Sequence, residues 1–331
     1  MVVNVLFPSV GRRVELIRAF RRAYEELAFS GSIIGLDIDP LAPALSEVDH
    51  AYLVPRTTDG EWVSTLRDVC ARHDVGLIVP SVDRDLPVLA EHRQELEAMG
   101  ARLMLVPDEA VAITADKLLT YRFFRELGVP TPCSWLPDEA LGAVSRFPVI
   151  VKPRFGSAGE GVVAVQDRPE LEFFLAYVQD AVVQEYLPGP EITNDVFSAL
   201  DGHVMSVVSR QRIEVRSGEV SKGKTIFDPE IARHCMTIAE GLRSVGPITV
   251  QCMLKDGSPY FTEINPRFGG GVTLGIAAGV PSPRWLLELA AGRQVTAPPL
   301  GTYSKDLYLS RFDQSLLMTG EERSRVASHR L

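Results

Sequence analysis

The chain has 331 residues, 46% hydrophobic and 23% charged. This is the balance of a soluble globular protein too long for one ordinary core, so two or three packed units are expected. A net charge of −9 argues against a nucleic-acid protein held by phosphate contacts. Cys70, Cys133, Cys235 and Cys252 are scattered, with no C-x-x-C pair and no nearby histidine. That excludes a standard zinc site and a disulfide framework, and makes the cytoplasm the expected location. The first residues lack a signal-peptide pattern and no apolar run is long enough for a bilayer, so no membrane partner is expected.

Residues 2–7 read as a buried parallel strand, and 12–28 as a helix with Val14, Ile17, Phe20, Tyr24 and Leu27 on one face. Residues 32–38 form a second strand ending near Asp37 and Asp39, which completes a βαβ unit. Strand 51–55, helix 62–73, strand 76–80, helix 86–99 and strand 102–106 extend it into an open α/β layer over 1–113. No G-x-G-x-x-G fingerprint is present, which argues against NAD. Ser9, Gly11, Asp37, Ser81, Asp83 and Asp85 fall at the carboxyl ends of strands, where ligands bind in such layers, but turn and cap chemistry accounts for each of them.

Thr114 is expected to cap a helix over 118–127, with Asp116 and Lys117 in its first turn and Gly128 at its stop. Strand 147–153 carries Lys152, and a loop with Gly156, Ser157, Gly159 and Gly161 leads into strand 162–165. Such a loop can offer backbone N–H groups to phosphate, with the lysine adding charge. Lacking G-K-[ST] and followed by a strand, it is not a Walker loop, and a plain hairpin tip would use the same glycines. Strand 181–187, with Gln184, Glu185, Tyr186 and Leu187, leaves the core before Glu191. That arrangement suits an adenine edge and ribose hydroxyls, or a salt-bridged surface turn. Strands 192–198 and 203–209 precede a basic stretch with Arg210, Arg212 and Lys222, which reads either as a charged strand face or as a seat for an anionic substrate.

A helix over 229–245 leads to a hairpin in which runs 249–254 and 259–265 flank Asp256-Gly257. Alternation places Glu263 and Asn265 on one face. A three-residue loop, Asp256-Gly257-Ser258, would put Gln251 directly opposite Glu263. One carboxylate and two carboxamides followed by Arg267 would then suit a hard cation bound to phosphate, although a hairpin with a wet polar face reads the same in isolation. Short helices near 272–278 and 285–291, a strand at 307–309 and a disordered polar tail from Thr319 complete the expectations.

Taken together, Lys117, Val151-Lys152-Pro153 with its glycine loop, Gln184-Glu185-Tyr186-Leu187 with Glu191, and Gln251 with Glu263-Ile264-Asn265-Pro266-Arg267 resemble the ATP-grasp ligases in order and spacing. The similarity is strongest to the carbamoyl-phosphate synthetase large-subunit branch, where a glutamine can hold the first metal position; this chain has one such set where that enzyme carries two. The resemblance implies an α/β and α+β protein: an N-terminal open parallel α/β (pre-ATP-grasp) domain over 1–113, then a two-lobed ATP-grasp fold. Its small lobe with a glycine-rich lid would span 114–183, its large lobe with the metal site 184–300, and a C-terminal extension 301–331.

The resemblance further implies that Lys117 and Lys152 contact ATP phosphates beneath a lid containing Gly156, Ser157, Gly159 and Gly161. Gln184 would belong to the nucleotide site, the backbone of Glu185, Tyr186 and Leu187 would meet adenine, and Glu191 the ribose. Gln251, Glu263 and Asn265 would hold Mg2+, with Mn2+ as a substitute, and Arg267 would face the γ-phosphate. Arg210, Arg212 and Lys222 are candidates for the substrate's carboxylate or phosphate. The implied activity joins a small-molecule carboxylate to an amine through an acyl phosphate, by positioning and charge neutralisation. A small-molecule kinase would use the same nucleotide residues, whereas a regulatory nucleotide-binding protein would be expected to lack the metal ligands. A homodimer is the general prior.

Overall fold

Strands Val5–Phe7 (β1), Ile33–Asp37 (β2), His50–Leu53 (β3), Leu77–Ile78 (β4) and Arg102–Leu103 (β5) form a parallel sheet in the order β3-β2-β1-β4-β5. The computed structural model describes residues 1–156 and 159–328. Every residue of β1 and β2 is buried, as a sheet covered on both faces requires. Alternation along β1 sends Val5 and Phe7 to the helix Val14–Leu27, and Leu6 to the opposite layer with Trp62 and Leu66 of helix Glu61–Arg72. This is the expected α/β layer. Helix 86–99 is instead two helices, Leu86–Glu91 and Arg93–Ala98, because His92 leaves helical geometry at φ −102° and ψ 13°.

The cap assigned to Thr114 belongs to Asp116. Helix Asp108–Ala115 precedes helix Lys117–Glu126, and the Thr114 hydroxyl donates back to the Ala110 and Val111 carbonyls. The Asp116 carboxylate accepts from the Leu118 and Leu119 amides and also pairs with Arg154. A short strand Ser134–Trp135 (β6) and helix Pro137–Ala143, which carry no sequence periodicity long enough to read, then join Val149–Pro153 (β7), Val163–Val165 (β8) and Ala181–Glu185 (β9). These four strands form the small-lobe sheet, ordered β6-β9-β7-β8.

Glu191–Ser198 (β10), Val204–Arg216 (β11), Glu219–Ile226 (β12), Gly246–Lys255 (β13), Ser258–Asn265 (β14) and Tyr308–Ser310 (β15) build the large sheet, ordered β14-β13-β10-β11-β12-β15. The basic stretch therefore continues β11. One face of this sheet carries Ile192, Val196, Val250 and Ile264 into a core shared with Trp62 and Leu66. The other face carries Phe197 and Val208 into the second core and, beyond them, two polar rows: Arg210–Thr193–Gln251–Glu263, and beside it Asp195–Thr249–Asn265. Phe124 of the helix carrying Lys117 packs on Phe261 of β14, with ring centroids 6.1 Å apart, so that helix is tied to the large sheet. The tail expected to be disordered contains a helix, Gly320–Ser328, lying against β3. No helix among the described residues is long and apolar enough to cross a membrane.

Candidate active site

Gln251 does lie opposite Glu263, but by a different route from the expected odd loop. Lys255 pairs with Ser258, leaving a two-residue turn in which Asp256 and Gly257 have φ of 52° and 83°, as a type I′ hairpin demands. An even loop alone would send Gln251 and Glu263 to opposite faces. A β-bulge at Thr262 supplies the extra residue, since Cys252 pairs with Phe261 while Gln251 pairs with Glu263. The carboxylate, both carboxamides and Arg267 are thereby gathered on one side.

Two adjoining chambers meet at this hairpin and share Gly159, Glu191, Gln251 and Glu263. The first, of about 270 Å3, is lined by Lys117, Lys152, Gly156, Gly159, Gln184, Glu185, Tyr186, Leu187 and Glu191, among others. Lys152 is 9% exposed and donates to Gln184 Oε1 at 2.8 Å, and Gln184 in turn donates to Ser134 Oγ at 3.0 Å. Lys117 Nζ reaches the Gly156 carbonyl at 2.7 Å. Gly161 sits at φ +72° with Pro153 where a Cβ would fall, 2.9 Å from its Cγ, so no side chain fits at that end of the loop. Ser157 lies outside the described residues.

Burial lowers the Lys152 ammonium to about 8; Glu263 partly restores its charge and Lys117 opposes it. Burial also lowers Lys117. Glu263 is pushed upward, again chiefly by burial, against the pull of Lys152 and Lys117. Three charges are thus held with incomplete compensation, a pattern common where a charged ligand is to be received.

The second chamber, of about 560 Å3, draws residues from distant parts of the chain. Arg267 donates through Nε to Asp83 at 2.7 Å, with a second bond from Nη2 to the same carboxylate, and through Nη1 to the Phe268 carbonyl at 3.0 Å. Arg13 pairs with Glu219 at 2.6 Å, and Arg311 grips the other oxygen of Glu219 at 3.1 Å. Arg212 joins Glu191 at 2.6 Å, so Glu191 lies between Arg212 and the Gln251 amide, which also donates to it. Arg210 forms a buried two-point pair with Asp195. Lys222 does not belong here: the alternation of β12 turns it outward to Glu214 at 2.7 Å, with both side chains about half exposed. Asp83, Arg13 and Glu219 complete the chamber. Of these, Asp83 had a sequence signal as a residue at a strand's carboxyl end, where turn chemistry explained it equally well.

The cation seat can be judged by its donors. Among the described residues no group of three or more Asp, Glu, His and Cys side chains is arranged to hold a metal, because the hairpin offers one carboxylate and two carboxamides. Gln251 Oε1 already accepts from Asn265 at 3.2 Å, and Asn265 Oδ1 accepts from Arg267 at 3.4 Å. Glu263 has no hydrogen-bond donor among the described residues and opens on both chambers. A recessed carboxylate without a hydrogen-bond donor, beside two neutral carboxamide oxygens, is a donor set that fits a hard cation such as magnesium.

A glycine loop over a lysine pair, facing an antiparallel sheet, is the arrangement of the ATP-grasp class. Residues 114–271 match the ATP-grasp domain family and residues 5–104 the PylC-like N-terminal domain, so the matched grasp domain follows the matched N-terminal domain in the chain. It is 26% identical over 281 residues to the carbamoyl phosphate synthase large chain of Thermoplasma acidophilum, covering 76% of this chain and 26% of that one. The carbamoyl-phosphate synthase of Methanobrevibacter smithii is 26% identical over 263 residues, covering 74% and 70%. This chain thus spans about a quarter of the Thermoplasma relative. In fold it resembles the biotin carboxylase domain of Hydrogenobacter thermophilus 2-oxoglutarate carboxylase, solved with MgADP, ADP and bicarbonate: TM-score 0.73, 19% identity, 92% of this chain and 73% of that one.

Proposed function

We propose that the protein is an ATP- and Mg2+-dependent ligase that activates a carboxylate as an acyl phosphate and transfers the acyl group to an amine. The observation that carries this reading is Glu263, which stands at the boundary between a lysine-lined chamber sized for a nucleotide and a larger chamber sized for an acceptor. Lys117 and Lys152 hold the phosphates, and the lowering that burial imposes on both ammonium groups reverses when phosphate oxygens arrive. Glu185 to Leu187 and Glu191 border the nucleotide end. Gln251, Glu263 and Asn265 would hold a magnesium ion, which would supply neutralisation of phosphate charge.

Arg267, fixed by Asp83, presents a rigid cation towards the transferred phosphoryl group. The acceptor carboxylate attacks the γ-phosphorus and ADP departs; the amine then attacks the acyl carbon, phosphate leaves with the bonding pair, and the amine proton passes to solvent. Closure of the glycine loop would exclude water from the acyl phosphate. Hydroxylamine offered as the nucleophile tests this: an accepted acid yields its hydroxamate together with equimolar ADP. ADP and a stable phosphorylated product without hydroxamate would make the protein a kinase and refute the ligase reading.

A further inference from the structure

Arg210 is 2% exposed, yet its guanidinium is not fully committed. Nε and Nη2 bond Asp195 at 2.6 and 2.9 Å, while Nη1 has no acceptor among the described residues and opens on the larger chamber. The terminal nitrogens of its neighbours are engaged: those of Arg267 donate to Asp83 and Phe268, and those of Arg212 to Glu191 and Gly218, while Arg212 Nε is buried without a partner. Gly271 keeps the approach clear, since a Cβ there would lie 2.3 Å from Arg210 Nη1. A buried arginine clamped by a carboxylate is rigid, and a planar guanidinium with one amino group left over suits one oxygen of a carboxylate or a comparable anion.

Position decides which anion it receives. Arg210, Thr193, Gln251 and Glu263 form one row on adjacent strands. At ~4.8 Å per strand, the Arg210 backbone stands roughly 10 Å from Gln251 and 14 Å from Glu263. Arg210 also does not line the lysine chamber. Its anion is therefore at the far end of the acceptor and is not a nucleotide phosphate. We propose that the acceptor is a small acid carrying a second anionic group, a dicarboxylate in its simplest form, with one carboxylate beside Gln251 and Glu263 for activation and the other on Nη1 of Arg210. The inference rests on the ligase reading above and specifies its substrate class.

The test measures binding to the full chain, preloaded with the magnesium complex of a non-hydrolysable ATP analogue, of succinate, glutarate and adipate, each against its own monoamide. One diacid should bind about 10- to 100-fold more tightly than its monoamide, the equivalent of one charge-assisted hydrogen bond. Arg210→Lys should erase that preference and leave the affinity for the analogue unchanged. Gly271→Ala, whose Cβ would intrude on Arg210 Nη1 and on Val220, provides the same readout if the lysine variant does not fold, and Lys222→Ala should change nothing. If no diacid binds more tightly than its monoamide, or if Arg210→Lys weakens the analogue as much as the diacid, the assignment is overturned. Failure of the wild type to bind the analogue would instead refute the nucleotide reading on which it rests.

Discussion

Replacing Lys152 with methionine keeps the length of the side chain and removes its charge. Burial holds the ammonium at about 8 against an ordinary value of 10.5, and at ~1.4 kcal/mol per unit this is roughly 3 kcal/mol of penalty on the charged form. The sign follows from proton counts. Between about 8 and 10.5 the unfolded chain holds the proton and the folded chain does not, so the wild type gains stability as pH rises through that window; below 8 it bears the whole penalty. Lys152→Met lacks this dependence. Its constant cost is the unpaired Gln184 oxygen, about 1–3 kcal/mol.

Denaturant melts at pH 7 and pH 11 should therefore show the variant's stability relative to wild type falling by roughly 3 kcal/mol as pH rises, with near parity or a slight advantage at pH 7. The same variant should lose most of the stabilisation that MgATP gives the wild type. A stability difference independent of pH would refute the claim that burial of an uncompensated ammonium governs this site.

Glu263→Ala should lower Mg·ATP-dependent turnover by about 100-fold or more, read as ADP release, while thermal stability in the absence of nucleotide stays equal or rises because a buried carboxylate is removed. Phe124→Ala, at a fully buried ring packed on Phe261, should cost about 3–5 kcal/mol in a denaturant melt, and should raise KM for ATP by loosening the helix that carries Lys117.

The hairpin separates what a sequence can state from what it cannot. Composition and alternation made the Glu263–Asn265 face legible, and demanded an odd residue between it and Gln251. The turn took an even length instead, because Asp256-Gly257 is a strong two-residue turn, and the odd residue went into the bulge at Thr262, which no local pattern announces. Lys222 failed as a site residue because strand β12 faces it away from the chamber, and a basic run does not reveal which of its members turn inward. Thr114 was read as a cap because the helix Asp108–Ala115 before it is short and weakly patterned. The acceptor chamber was the least legible part: Arg267 meets Asp83 across 184 positions and Arg13 meets Glu219 across 206. Each residue taken singly has an ordinary explanation.

Those two long-range pairs make the wall of the acceptor chamber also the seam between the N-terminal layer and the large lobe. Any rotation that parts the two must separate Asp83 from Arg267 and Arg13 from Glu219, and would leave both guanidinium groups facing a space meant for an anion. On the proposed reading, an entering acid would compete with Asp83 and Glu219 for the same cations. Affinity for an anion in the chamber and the integrity of this seam are then linked, and a change that loosens the seam should be felt in the chamber even where it touches no ligand.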